Sequence, residues 1–276
     1  MTTPHPQPGA SAGYTSPIPV RPARLADAIT SEWTKIRSLR STMWTLGAMV
    51  GLHFGVGTLT AWIARETTEG TDFVRDDILA LGFFGAVLAS LCVITLGVLT
   101  ITSEYGTGLI RTTMTACPSR ARILTAKAVV YFVLVFSVST VTTLLLGVVQ
   151  VGIAGGEPSG GQWLRATLGA SLYLALLGLL SLAVGSLIRH SAGAITIMLG
   201  FVLLPLVMAL FMAGSGGMRR LSEWLVQYSI PSQLGVVYEG EMMSGGPSGP
   251  AALVIIAVLA GAALGGAYAA LESRDV

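Results

Sequence analysis

Six stretches of this chain carry no Asp, Glu, Lys or Arg: Arg40 to Arg65, Asp77 to Glu104, Lys127 to Glu157, Arg165 to Arg189, His190 to Arg219, and Glu241 to Glu272. Each has room for about 20 apolar residues, which as a helix cross a hydrocarbon core of roughly 30 Å. The gaps predict transmembrane helices near 43–64, 78–101, 128–153, 166–188, 193–213 and 251–271. The expected fold class is therefore all-α, a polytopic membrane protein with six transmembrane helices. A further apolar segment, Trp224 to Tyr238, is too short to cross and contains Pro231. It reads as two short interfacial or re-entrant pieces.

Composition agrees. Hydrophobic residues make up 53% of the chain and charged residues 11%, against about 25% charged in a soluble domain. The surface cannot be mainly wet. A net charge of +2 points away from nucleic acid as a partner. The two cysteines, Cys92 in an apolar run and Cys117 in a polar loop, support neither a disulfide framework nor a metal cluster.

Orientation follows from the loop cations. Eleven Lys and Arg residues fall on the side of the N-terminus and five on the other (Arg65, Arg75, Arg165, Arg219 and Arg220). Both termini are expected in the cytoplasm. Glu66, Glu69, Asp72, Asp76 and Asp77 crowd the first outer loop.

Three regions are expected along the chain. Residues 1–22, with six prolines, read as a disordered cytoplasmic tail rather than a signal peptide. Residues 23–42 form an amphipathic interfacial helix, and residues 43–276 the six-helix transmembrane domain. In the second region Leu25, Ile29, Trp33, Ile36, Leu39 and Met43 repeat at helical spacing. Arg24, Asp27, Glu32, Lys35, Arg37 and Arg40 fill most of the remaining circumference. Such a helix lies in the membrane interface with Trp33 at headgroup depth. It serves either as an anchor or as a surface that also touches a cytoplasmic partner.

The connection from Thr102 to Lys127 encodes a break at Gly106 and Gly108, a short helix over Leu109–Thr115, and a restart at Pro118-Ser119. It is either a docking element or a solvated loop. Glu104 opposes the dipole of the second span but favours a helix that begins after it. Its position therefore predicts a span ending near Thr102, with Arg111, Arg37 and Arg40 as partners.

Several chemistries are excluded. A phosphate-binding loop ends in Gly-Lys-Ser/Thr, but the two lysines stand in Thr34-Lys35-Ile36 and Ala126-Lys127-Ala128. No ATPase is expected in this chain. The histidines His5, His53 and His190 are too scattered for a zinc hydrolase. Ser171 stands in a Gly-Ala-Ser run, but the sixth span offers no histidine as base. The spans contain no ionisable carboxylate for proton coupling, so the energy source is expected in a partner. Ser139, Thr143, Gly147 and Gln150 share one face of the third span. That face either packs against other helices or, with His53, lines a substrate path. Gly51-x-x-x-Gly55 and Gly261-x-x-x-Gly265 are candidate seams for close helix contact, and Pro205 is expected to kink the fifth span.

Two segments carry a resemblance. Glu32-Trp33-Thr34-Lys35-Ile36-Arg37-Ser38-Leu39-Arg40-Ser41-Thr42 before the first span resembles the opening of many bacterial ABC exporter permeases of the second type. So does Glu104-Tyr105-Gly106-Thr107-Gly108-Leu109-Ile110-Arg111 after the second. Glu104, Tyr105, Gly108, Ile110 and Arg111 match the family pattern there, while Gly106 replaces a usual Arg and Leu109 a usual Thr. The resemblance implies a membrane-spanning subunit in the bacterial cytoplasmic membrane, exporting an amphiphilic drug, peptide or lipid-like molecule. It implies a second permease copy and separate ATP-binding cassette subunits that hold ATP and Mg. The interfacial helix (Trp33, Ile36, Arg37) and the segment from Glu104 to Arg111 would transmit the ATP-driven motion. The competing expectations are a non-transporting immunity or signalling protein and an intramembrane enzyme.

Overall fold

A computed structural model of the chain describes residues 24–67, 77–116, 119–212, 216–239 and 246–273. The proline-rich tail and the acidic residues Glu69, Asp72 and Asp76 lie outside the described residues. So do the side chains of Ile110 and Arg111. The ten principal helices among the described residues are α1 (Leu25–Ser38), α2 (Arg40–Thr67), α3 (Gly82–Thr107), α4 (Leu109–Ala116), α5 (Arg120–Ala154), α6 (Gly160–Ile188), α7 (Ser191–Met212), α8 (Arg219–Gln227), α9 (Ile230–Glu239) and α10 (Gly249–Ser273). A 3-10 turn, Ile78–Leu81, leads into α3, and α6 contains a widened π turn at Arg165–Gly169.

Six of these elements are long and apolar enough to cross a membrane: α2, α3 with its leading turn, α5, α6, α7 and α10. They coincide with the six charge gaps. Most of the helices run past their gaps, and polar ends are capped or paired. Ser159 accepts a hydrogen bond from the Gln162 amide at the start of α6, and the Arg120 guanidinium donates to the Leu271 carbonyl near the end of α10 at 2.7 Å. Both contacts satisfy backbone groups that a helix end leaves free.

The centre of the bundle is α6, which packs against α3, α5 and α10. Its Tyr173, Leu174, Leu177 and Leu182 are fully buried. Elsewhere α2 packs on α3 and α5, and α7 on α3 and α6. Outward faces carry exposed Trp62, Val141, Leu145, Leu204, Phe211 and Val258, a surface suited to lipid.

Close helix contact occurs at other glycines than the two expected seams. A Cβ on Gly85 would strike the His53 carbonyl, and one on Gly97 would sit 2.7 Å from the Gly178 carbonyl. Backbones meet there because no side chain intervenes. At Gly51, Gly55, Gly261 and Gly265 the space beyond the backbone is open within 4 Å, so those seams are unused within the chain. Pro205 lies inside α7, which runs through it as one helix.

The segment from Trp224 to Tyr238 forms α8 and α9, two short helices that do not cross. The break falls at Tyr228-Ser229, and Pro231 sits in the first turn of α9, where its missing N–H would have no intrahelical partner. Leu234, Val237 and Tyr238 are buried, so α9 packs into the bundle against α10.

Candidate coupling site

The expected break, short helix and restart between the second and third spans are all present. The helix α3 ends where Gly108 takes the left-handed conformation, φ 74°, which costs glycine little and other residues more. Then comes α4, and the Ser119 hydroxyl accepts a hydrogen bond from the Arg122 amide to open α5. Gly106, where the family pattern has Arg, is exposed with open space beside it.

One expectation is corrected. The second span does not end near Thr102, because α3 continues to Thr107. Glu104 therefore sits in the last turn of a helix, where the dipole disfavours an anion by about 0.3–1 kcal/mol. Lys127, the eighth residue of α5, lies beyond the first turn, where the helix dipole has faded. Local helix electrostatics cannot place either charge. Tertiary pairing does.

The pairing is a closed ring of four charges. The Lys127 ammonium donates to Glu32 Oε2 and to Glu104 Oε1, each at 2.6 Å. The Lys35 ammonium donates to Glu32 Oε1 at 2.8 Å and to Glu104 Oε1 at 2.9 Å. Lys127 is 1% exposed, Glu32 4% and Glu104 6%, so three of the four are out of water, while Lys35 stands at the half-buried rim. Two acids and two bases leave no net charge. A compact ammonium with three donors fits between two carboxylates. Burial works against the charge on Lys35, but hydrogen bonds and attraction from Glu32 and Glu104 outweigh it and hold its pKa above the ordinary lysine value.

The ring joins the middle of α1, the end of α3 and the beginning of α5. Glu104 is thus partnered by Lys35 and Lys127 rather than by Arg37 or Arg40. Sequence reasoning put Glu32 and Lys35 on the polar outer face of α1 and treated Lys127 as a loop cation. One signal was available: the only two lysines of the chain, set among 14 arginines (16 Lys and Arg less two), both belong to the ring. Beside it, the Arg189 guanidinium lies over the Tyr105 ring, 5.2 Å from its centre.

The stripe on α1 divides. Ile36 is 5% exposed, packed inward with Glu32, whereas Trp33 is 42% exposed and Leu25 and Arg37 also face out. The polar face of the third span is inside the bundle. Ser139, Thr143 and Gln150 are buried. The Gln150 amide donates to the Gly57 carbonyl at 3.2 Å, and the Thr143 and Ser171 hydroxyls meet at 3.4 Å. His53 is fully buried, with the Tyr238 hydroxyl 3.5 Å from its Nε2. These residues join α2, α5, α6 and α9.

Six helices long and apolar enough to cross a membrane, an N-terminal helix docked on them by charge, and a short helix between the second and third define a polytopic membrane protein. A family model described as ABC-2 family transporter protein matches residues 28–216, a segment that contains all four members of the ring. The chain belongs to the ABC-2 transporter family and is a multi-pass membrane permease. No curated protein matches it.

Proposed function

We propose that the chain is the membrane-spanning subunit of an ATP-driven exporter, moving an amphiphilic substrate such as a drug, peptide or lipid-like molecule. A separate pair of ATP-binding cassette subunits supplies the energy with ATP and Mg, and a second permease copy completes the path. Both termini face the cytoplasm of a bacterial cell, following the loop cations. The open glycine faces on α2 and α10 leave room for another copy to approach.

The observation that carries the reading is the charge ring. It ties α1, the end of α3 and the start of α5 into one block, and α4 hangs between the last two. A push on α4 from an ATP-binding subunit reaches both spans at once, and α1 follows through Glu32. Apolar side chains would hold three helices together as well or better. Charges add registry in this reading, because the four pairs tie three helices at defined positions. In this reading Glu104 and Tyr105 belong to the moving block, Gly108 is the pivot, and Ile110 and Arg111 lie on the docking helix. Trp33, Ile36 and Arg37 keep α1 at the interface.

The test is Glu104→Gln, which keeps the shape and one acceptor but removes the charge. With the permease reconstituted beside its ATP-binding subunits, export should fall about tenfold or more while the complex still assembles and hydrolyses ATP. Unchanged export at unchanged ATPase rate would remove Glu104 from coupling.

A further inference from the structure

A cleft of about 260 Å³ lies between α7, α8, the start of α9 and α10. A cavity of roughly 150 Å³ holds a benzene ring, so this one accommodates a ring or a bent alkyl segment of several carbons. Its floor is buried: Tyr173 is fully covered, Ile256 is 1% exposed and Gln233 4%. Its mouth is aromatic and open, with Phe201 47% exposed, Trp224 54% and Tyr228 41%. Phe201 belongs to a spanning helix, so the cleft opens on the apolar surface.

The floor carries one unsatisfied polar atom. The Gln233 amide nitrogen donates to the Tyr228 carbonyl at 2.9 Å, which fixes the other atom of the amide as oxygen. That Oε1 is buried and has no hydrogen-bond partner among the described residues. The neighbouring Tyr173 hydroxyl is already engaged, donating to the Ile230 carbonyl at 3.3 Å. A buried acceptor without a donor is costly and is normally filled. An apolar cleft whose buried lining includes an acceptor without a donor selects an apolar group that brings one donor.

We propose that this cleft binds a bilayer-dissolved amphiphile by an alkyl or aryl limb that carries a hydroxyl or amide N–H, with Gln233 Oε1 accepting that hydrogen. The site is defined by binding, so it stands or falls independently of ATP, of a partner subunit and of export.

The test uses the full-length chain in lipid nanodiscs and two photoreactive probes, a long-chain alcohol with a diazirine beside the hydroxyl and its methyl ether. In the wild type the alcohol should label Phe201, Trp224 or Tyr228 about five-fold more than the ether, the discrimination of one neutral hydrogen bond. Gln233→Leu should bring the ratio to about one while both probes still label the cleft. Leu259→Trp, at the partly exposed rim, should exclude both probes without touching the floor. A thermal unfolding midpoint for each variant separates lost binding from lost folding. Equal labelling by alcohol and ether in the wild type, a preference that survives Gln233→Leu, or labelling spread equally over outer residues such as Trp62 and Leu145 would each overturn the site.

Discussion

Two of the polar clusters that join helices among the described residues are built on opposite plans. At the end of the bundle that receives α1, four full charges close on one another. In the interior, His53, Gln150, Thr143, Ser171 and Tyr238 meet through single neutral contacts of 3.2–3.5 Å. Each charge in the ring pairs with two neighbours, so removing one leaves each neighbour with a single partner, at greatest cost where the lost charge is the most buried. Each contact in the neutral seam can be lost almost alone. The arrangement follows solvent access: charges are tolerated where long side chains reach a span's end, and the apolar interior admits only groups that stay uncharged. The ring should therefore behave as a unit and the seam as a sum of parts.

Lys127→Met tests the first half of that contrast and should have the largest effect. It leaves Glu32 and Glu104 close together and buried with only Lys35 between them. Breaking a buried pair from one side typically costs about 3–5 kcal/mol. The purified protein should unfold at markedly lower temperature or fail to accumulate, and pairing Lys127→Met with Glu104→Gln should recover part of the loss. A double variant no better than the single would mean that the four charges do not act together.

Gln150→Leu tests the second half. It removes one hydrogen bond to the Gly57 carbonyl, at a cost of about 0.5–1.5 kcal/mol. The loss should add simply to that of Thr143→Val, measured as the shift in thermal midpoint of single and double variants. A coupling between the two as large as that inside the ring would erase the distinction.

The smallest effect belongs to Lys35, whose side chain is 34% exposed. Its pKa is raised in the folded protein, so its stabilisation is fully present below the ordinary value of 10.5 and is lost as pH rises through the higher folded value. Solvent screening keeps the contribution to about 1 kcal/mol or less. The stability gap between wild type and Lys35→Gln should be constant near neutral pH and close above pH ~10.5. A gap that persists at high pH would assign the effect to packing of the side chain rather than to its charge.

Much of the architecture was legible because it rests on local quantities. The length between charges determined six spans, and all six appear as helices. Gly108 and Ser119 marked the end of one helix and the start of another, because left-handed backbone and an amide-capping hydroxyl are properties of single residues. Glu104, Tyr105 and Gly108 stand out by the family pattern they match rather than by helix chemistry alone. The short pieces after α7 were also foreseeable, since the segment from Trp224 to Tyr238 lacks the length to cross.

What only the tertiary structure decided is which charge meets which. Lys127 reaches Glu32 across 95 residues, Lys35 reaches Glu104 across 69, and Lys127 reaches Glu104 across 23. No helical period links these pairs, and at Glu104 the helix dipole favours the opposite charge. The same holds for glycines, where Gly51-x-x-x-Gly55 looked like a seam but Gly85 and Gly97 form the close contacts. It holds for Gln233 too, whose unfilled oxygen matters only because Tyr228 takes its nitrogen and a cleft opens beside it. Sequence determines where a chain can enter a membrane because transfer from water is paid residue by residue; partners are chosen only when helices distant in the chain come together in three dimensions.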